Sequence, residues 1–502
     1  MAISNKATVF AIKKEASEGT ITAPTAGTDF IPIQPDLAMN AEIEKLDNEE
    51  IKNSLGMAKK ITGAENPTAS FSHYMKGSSV EGQAPAWGPC IESILGTVKV
   101  ASTEYPTIAG STTTVINVTD ASNFRKGEFL LIKDATNGYA IRAIHSLDTT
   151  ANTLTLGFAL SNAPAAGVNL GKCVLYYPIN TATHPTLTLW RYVGNDGAVN
   201  MIRGARVTEL SFTCEAGQLI NSSLSLEGLE YYFNPIEITT SNDTLDLTDD
   251  DGTIAPRVAS GWYKTPQELA SALETAINAL TTQTFTVVYS DSTGKFTIAS
   301  STSAVVSLLW STGVNTARTI GAKIGFDTAA DDTAATTYTS DNALTLSASY
   351  TPSFDDSDPI SAKGHIVYFG DQDDNVCFGP SSVDVSISVD RKVIDNICSE
   401  SGRSGSVITG RTVTVSVTGL LEKYDSDKIN RLLKNIDSRF MYVGGLKSGG
   451  NWVAGKNFGL YLPYCSVDSF NVGDDESLTT VEFEISAFVP SDGSEEVYLG
   501  FV

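Results

Sequence analysis

An ordered set of elements occurs twice in this 502-residue chain, and that duplication restricts the possible folds more than any other feature. Near the N-terminus an alternating strand (37–46, LAMNAEIEKL) precedes a long polar loop ending in Ile61-Thr62-Gly63, a second strand (68–74, TASFSHY) and a helical segment. The same order returns as 383–390 (VDVSISVD), a loop ending in Ile408-Thr409-Gly410, 412–418 (TVTVSVT) and a helical segment. After each helix come Arg191-Tyr192-Val193-Gly194 or Met441-Tyr442-Val443-Gly444, a Gly-rich loop and two further alternating strands. Shared tripeptides are weak signals, so duplication rests on the common order.

The first anchors are offset by 347 residues (408 less 61) and the second by 250 (441 less 191), so the first copy carries about 97 more residues between anchors. The segment 98–180, with its own turns and strands, accounts for that surplus and reads as an inserted β module. The expected organisation is therefore a first repeat in two parts (1–97 and 181–236), the insert at 98–180, an α+β module at 237–350 and a second repeat at 351–502.

Short segments rich in Val, Ile, Thr, Tyr and Phe, bounded by Gly, Asn, Asp and Ser, predict antiparallel β structure. Helices are expected only at 85–96, 266–280 and 425–437. The second has Thr265 as N-cap, Pro266 in the first turn and Glu268 completing a capping box. The fold class is mainly β: two tandem β-sandwich or barrel domains, each with a flanking helix, plus two small inserted β-rich modules.

Period-two alternation assigns faces. Leu37, Met39, Ala41 and Ile43 oppose Asn40, Glu42 and Glu44; Leu210, Phe212 and Cys214 oppose Glu209 and Glu215. Leu224 and Leu226 oppose Glu227; Val383, Val385, Ile387 and Val389 oppose Asp384 and Asp390; Val481, Phe483 and Ile485 oppose Glu482 and Glu484. One face is core and the other wet. The wet faces of these five strands carry Asp, Glu, Ser, Thr and Asn, with no Lys or Arg. A solvated surface ordinarily mixes both signs. A one-signed face suits a channel wall along which a polyanion must slide without adsorbing.

The whole chain is acidic, with 34 Lys+Arg against 58 Asp+Glu and a net charge of −24, which argues against tight nucleic-acid binding through phosphate neutralisation. No stretch approaches the ~20 apolar residues of a membrane span, and the N-terminus lacks an apolar signal core, so classical secretion is not expected. Cys90, Cys173, Cys214, Cys377, Cys398 and Cys465 are scattered, without a CxxC pair or a neighbouring His, so buried free thiols are expected rather than a zinc site.

The stretches 69–96 (ASFSHYMKGSSVEGQAPAWGPCIESILG), 187–228 (LTLWRYVGNDG…IRGARVTELSFTCEAGQ…SSLSLEG), 410–436 (GRTVTVSVTGLLEKYDSDKINRLLKNI) and 455–488 (GKNFGLYLPYCSVDSF…TTVEFEISAF) give the chain a specific resemblance. It resembles major tail tube proteins of long, non-contractile-tailed, siphovirus-type bacteriophages over about 1–97, 181–236 and 351–502. The resemblance implies a β-sandwich with a flanking helix, six of which form a ring with a continuous inner β-barrel, and hairpin loops reaching the next ring. With two copies per chain, three chains would complete a pseudo-hexameric ring. It also implies a structural, non-enzymatic protein without cofactor or metal, assembled in the host cytoplasm into the virion tail. The implied partners are the tape measure, tail-tip and terminator proteins, with DNA passing through the lumen unbound and no membrane. Glu42, Glu44, Glu209, Glu215, Glu227, Asp384, Asp390, Glu482 and Glu484 would line the lumen. By position the loops 46–67 and 391–410, with Glu49, Glu50, Lys52, Lys59, Lys60 and Arg403, would contact the next ring. The alternative for both loops is plain solvated connection.

Other motifs point to less. GNWVAGKN (450–457) satisfies a phosphate-loop spacing, but Asn457 stands where Ser or Thr should and a strand follows instead of a helix. Asp249-Asp250-Asp251 lacks calcium-loop spacing and reads as an exposed turn, as do the acidic clusters at 355–358 and 371–374. His73, His145, His184 and His365 lie near no nucleophile signature. Two other functions stay open: a carbohydrate- or receptor-binding adhesin built on the inserted modules, and a β-rich hydrolase using a carboxylate pair.

Overall fold

A computed structural model of the chain describes residues 8–25, 27–50, 56–181, 183–193, 198–344, 352, 354, 357–371, 375–399, 401–421, 433–434, 438–475, 478–490 and 495–502. It is mainly β, with two α-helices among the described residues. Contacts divide it into a larger unit (Ile12–Thr188, Arg203–Leu229, Ser353–Val502) and a smaller one (Met1–Ala11, Leu189–Ile202, Glu230–Pro352).

The strands that position the site are β1 (Ala38–Asn40), β2 (Ile43–Leu46), β3 (Ile61–Glu65), β4 (Thr68–Tyr74), β5 (Ala198–Glu215), β6 (Asn221–Glu227), β7 (Pro380–Asp395), β8 (Arg403–Leu420), β9 (Asn451–Asp475) and β10 (Leu478–Ala487). Within the larger unit, β1, β4, β6 and β5 pair side by side in that order. The second repeat has the same order, β7, β8, β10 and β9. The two sets join where β5 pairs antiparallel with β7, from Glu209 opposite Ser388 to Glu215 opposite Ser382. All eight strands thus form one continuous antiparallel sheet.

Alternation explains why that sheet holds. Leu210, Phe212, Leu224 and Leu226 of the first repeat and Val385, Ile387, Val413, Val415, Phe483 and Ile485 of the second are buried on one face. In the second repeat this face meets a layer made of strands at 366–370, 438–448 and the first half of β9, with Phe369 and Phe483 rings 5.6 Å apart. Each fully buried Val, Ile or Phe contributes roughly 1.5–3 kcal/mol of transfer free energy.

Helix α1 (Gly88–Leu95) buries Cys90, Ile91, Ile94 and Leu95, within the span expected from sequence. The insert forms a six-stranded sheet between Tyr105 and Leu170 around Ile116, Leu130, Ile132, Ile144 and Leu154. Its chain enters along 96–100 and leaves along 174–178, which pair with each other from Gly96 opposite Pro178 to Val100 opposite Val174. In the smaller unit, α2 (Pro266–Asn278) has Thr265 capping the Glu268 amide at 3.2 Å, and packs Leu269, Leu273 and Ile277 into a core with Phe285, Phe296 and Trp310. The third expected helix, 425–437, lies outside the described residues apart from Leu433 and Lys434.

Several expectations change. The segment 37–46 is two strands: β1 pairs with β4, but β2 leaves the sheet and pairs with β3 as a separate ribbon. Ile43, assigned to the core, is 41% exposed, because both ribbon faces meet solvent. The long loop expected at 391–410 is mostly strand, since β7 and β8 stay paired up to Asp395 opposite Arg403. Cys398 is exposed at that hairpin's tip, whereas Cys90, Cys173, Cys214 and Cys465 are buried free thiols and the Cys377 side chain is outside the described set. Asp249 is buried rather than turned outward: it accepts from the Thr281 hydroxyl at 2.5 Å and its own turn's Asp251 amide at 2.9 Å.

Candidate assembly surface

The wet face of the eight-stranded sheet is the largest surface on which the sequence-predicted site residues come together. Register places them in rows. Ser70, Ser225, Glu209, Ser388 and Thr412 face one another across five strands. Asn221, Thr213, Asp384, Ser416, Glu484 and Ser469 form a second row across six, and Glu215, Ser382, Thr418, Glu482 and Asn471 a third. These rows contain no Lys or Arg.

Each carboxylate is opposed by Ser, Thr or Asn and never by another carboxylate, which avoids the penalty of like charges directly across a strand pair. Asp384 and Glu484 lie two strands apart, about 10 Å, close to the screening length at 0.1 M salt. Their repulsion is therefore mild inside the sheet, while their field on the solvent side has one sign. Among the described residues, Glu209, Glu215, Asp384, Asp390, Glu482 and Glu484 make no ion pair.

Three predicted wall residues behave differently. Glu42 falls in the break between β1 and β2 and accepts from the Thr68 hydroxyl at 3.3 Å. Glu44 belongs to the β2–β3 ribbon, where its side chain lies over Gly63. Glu44 lies off the face of the sheet, whereas Glu42 sits at its edge beside Thr68. Glu227 is paired with Arg391 at 3.0 Å, so its charge is neutralised.

Arg391 was not singled out in the sequence, nor were Arg206 and Glu18, yet they fasten the join between repeats. Arg206, 1% exposed, donates from Nε to the Ser406 hydroxyl (3.0 Å) and from Nη2 to the Ser406 carbonyl (3.1 Å) and Glu18 (3.1 Å), and also donates to the His184 carbonyl. Glu18 in turn accepts from the Ser406 amide at 2.7 Å. Burial lowers the pKa of both guanidinium groups, opposed by their carboxylate partners. The available signal was Arg391 itself, a cation ending a run of alternating small polar residues.

Among the described residues, the expected contact loops run into paired strands, Ile43–Leu46 with Ile61–Glu65 and β7 with β8. Glu49 and Glu50 are exposed beyond β2, and the Glu50 amide donates to the Asn48 side chain at 3.0 Å. Lys60 pairs with Asp47 at 2.8 Å, both exposed, a contact worth little in water; Lys59 is exposed, and Lys52 lies outside the described residues. Arg403 donates to the Asn66 side chain at 2.7 Å, and the Glu65 amide donates to the Ser401 carbonyl at 3.1 Å. The second repeat's hairpin thus rests against the base of the first repeat's ribbon.

The four histidines sit in packed surroundings. His73 and His184 are buried, with Nδ1 donating to the Tyr74 and Ser93 carbonyls at 3.0 and 3.1 Å, and burial pushes each down to about 4. His365 bridges the Tyr442 hydroxyl and the Gly445 amide, and His145 bonds to the Tyr461 hydroxyl. The phosphate-loop look-alike is the return strand of a hairpin turned at Gly449 and Gly450, both at positive φ, with Asn457 wholly buried. No family model matches the chain, and no curated protein matches it.

Proposed function

We propose that the chain is a structural subunit of a viral tail tube, in which three copies close edge to edge into a pseudo-hexameric ring and stacked rings form an acidic conduit for DNA. The β5–β7 pairing carries this reading. It joins the last strand of one repeat to the first strand of the next, and the chain still has one edge of each kind to offer. Among the described residues, β1 pairs only with β4, and the second half of β9 only with β10. Repeating the internal join between chains would pair these two edges and close a ring, because a heterologous contact related by a constant rotation ends when the rotation completes a turn. Closure also removes exposed sheet edges, which otherwise invite aggregation.

The face turned to the bore would be the carboxylate and hydroxyl face. A wall with Asp384, Glu482 and Glu484, and no cations in the same rows, repels phosphates and gives them no guanidinium or ammonium to rest on. The tape measure, tail-tip and terminator proteins are the expected partners of such a tube. Native mass spectrometry of the assembled ring tests the reading. Three chains per ring are expected, and six chains, or an absence of rings at every concentration, would overturn it.

A further inference from the structure

We infer that the chain carries a binding site for one neutral pyranose ring, in the cleft where the inserted module meets the second layer of the second repeat. The site lies within one chain and does not depend on the tube reading. Its volume is about 210 Å³, short of the ~300–1,000 Å³ of sites for larger ligands, so it admits a single ring. The cleft arises from a change of side-chain size. Thr107 bridges Val118, so the six-stranded sheet of the insert closes on itself as a small barrel. Register sets Leu130 opposite Arg142, Ile132 opposite Ala140 and Asp134 opposite Gly138 on its inward face. Leu130 and Ile132 fill the barrel core, whereas Ala140 and Gly138 leave room at its end. Ile366, Tyr368 and Trp452 of the second repeat form the facing wall. Ile366 and Tyr368 alternate with the buried Val367 and Phe369, and Phe369 packs on the eight-stranded sheet. The cleft is therefore on the far side of that layer, which in a tube is outside the bore.

The lining suits a neutral polyol. It holds one charge of each sign, Asp134 and Arg142, so no net charge favours an anion or a cation. Both are engaged by the protein. Asp134 accepts the Thr136 and Asn137 amides at 2.9 and 3.1 Å and the Asn137 side chain at 2.9 Å. Arg142 donates to the Ile141 and Ala159 carbonyls at 2.8 and 3.1 Å. It also donates to the Tyr368 hydroxyl oxygen at 2.9 Å, which commits that oxygen as an acceptor and leaves the Tyr368 O–H as a donor. Phe158, stacked 5.2 Å from Tyr368, holds the ring in place. Among the described residues, the Tyr368 proton and the side chains of Tyr139, Ser161 and Asn162 have no hydrogen-bond partner. Hydroxyls and amides both donate and accept, as sugar hydroxyls require. The half-buried Tyr139 adds an aromatic surface for the C–H face of the sugar. For a ligand of about a dozen heavy atoms, a dissociation constant of about 1 mM follows.

The test is saturation-transfer-difference NMR on the full-length chain. The probes are the methyl glycosides of glucose, galactose and N-acetylglucosamine, the three free sugars, and glucose 6-phosphate, each at about 10 mM. Saturation transfer to at least one neutral sugar is expected, with glucose 6-phosphate binding no better than glucose. A glycoside models the end of a glycan and a free sugar a small solute; both carry the inferred chemistry, and the tighter of the two identifies the source. Ala140→Phe fills the cleft and should abolish transfer. Ser161→Ala with Asn162→Ala removes two exposed side chains, should leave the circular dichroism melt unchanged, and should weaken binding at least ~5-fold. If Ala140→Phe does not fold, the exposed pair decides. No transfer to any neutral sugar, undiminished transfer in either folded variant, or preference for the phosphorylated sugar would overturn the inference. Ring formation is scored separately, by negative-stain microscopy, so failure of the tube reading leaves this test intact.

Discussion

Acidification should weaken the larger unit steeply, and His73 and His184 set the scale. Each carries a proton on Nδ1 committed to a backbone carbonyl, and among the described residues the second nitrogen of His73 is buried without an acceptor. Both are pushed down to about 4 by burial, from 6.5 in an unfolded chain. Between those values the unfolded chain binds more protons than the folded one, so stability falls as pH falls through the window from 6.5 to 4. At about 1.36 kcal/mol per unit, each His removes about 2 kcal/mol at pH 5 and about 3 kcal/mol by pH 4, or about 4 and 6 for the pair. His365, also pushed down to about 4 by burial, acts in the same direction. Glu15 and Glu128, whose carboxyls burial pushes up, offset part of the loss. The total is comparable with a domain's entire stability of about 5–15 kcal/mol. Urea unfolding of wild type, His73→Gln and His184→Gln at pH 7, 6 and 5 measures it. Each variant should flatten the pH dependence by about 1.4 kcal/mol per unit below 6. A wild-type midpoint unchanged from pH 7 to 5, or variants with the wild-type slope, would refute the reasoning.

Arg206→Ala strands Glu18 and the Ser406 groups at the join between repeats, and should cost about 3 kcal/mol or more in urea unfolding; a cost under about 1 kcal/mol would show that the join does not depend on it. Phe483→Ala, at a fully covered position opposite Val417 and packed on Phe369, should cost about 3–5 kcal/mol by the same assay. Reversing Asp384, Glu482 and Glu484 to Lys should leave subunit melting nearly unchanged, because these side chains face solvent beside Ser, Thr and Asn, yet slow DNA delivery in an ejection assay; unaltered delivery would remove the reason for a one-signed wall.

The mainly β fold was legible because period-two patterning reports burial directly, and Val383 to Asp390 alternates in the structure as in the sequence. The helix at 266–280 was legible because Thr265, Pro266 and Glu268 specify its start. The ribbon at β2 was not. Alternation continues from Met39 to Glu44 across the break between β1 and β2, and a strand covered by a sheet has the same period as one open to water. That is why Ile43 was assigned inward and Glu44 to the common wall. Extension of β7 to Asp395 was hidden by Arg391 and Lys392, whose charges resemble loop residues until the burial of Arg391 against Glu227 is seen. Cross-strand partners such as Arg206 and Ser406, 200 positions apart, leave no local trace at all.

An axial view of the assembled particle by electron cryomicroscopy shows whether the carboxylate face surrounds a bore. Threefold symmetry is expected, with six similar sheet segments around one bore, β1 of each chain beside β9 of its neighbour, and Asp384, Glu482 and Glu484 turned toward the axis. A particle with those carboxylates on its outer surface, or a bore lined by Lys and Arg, would contradict it.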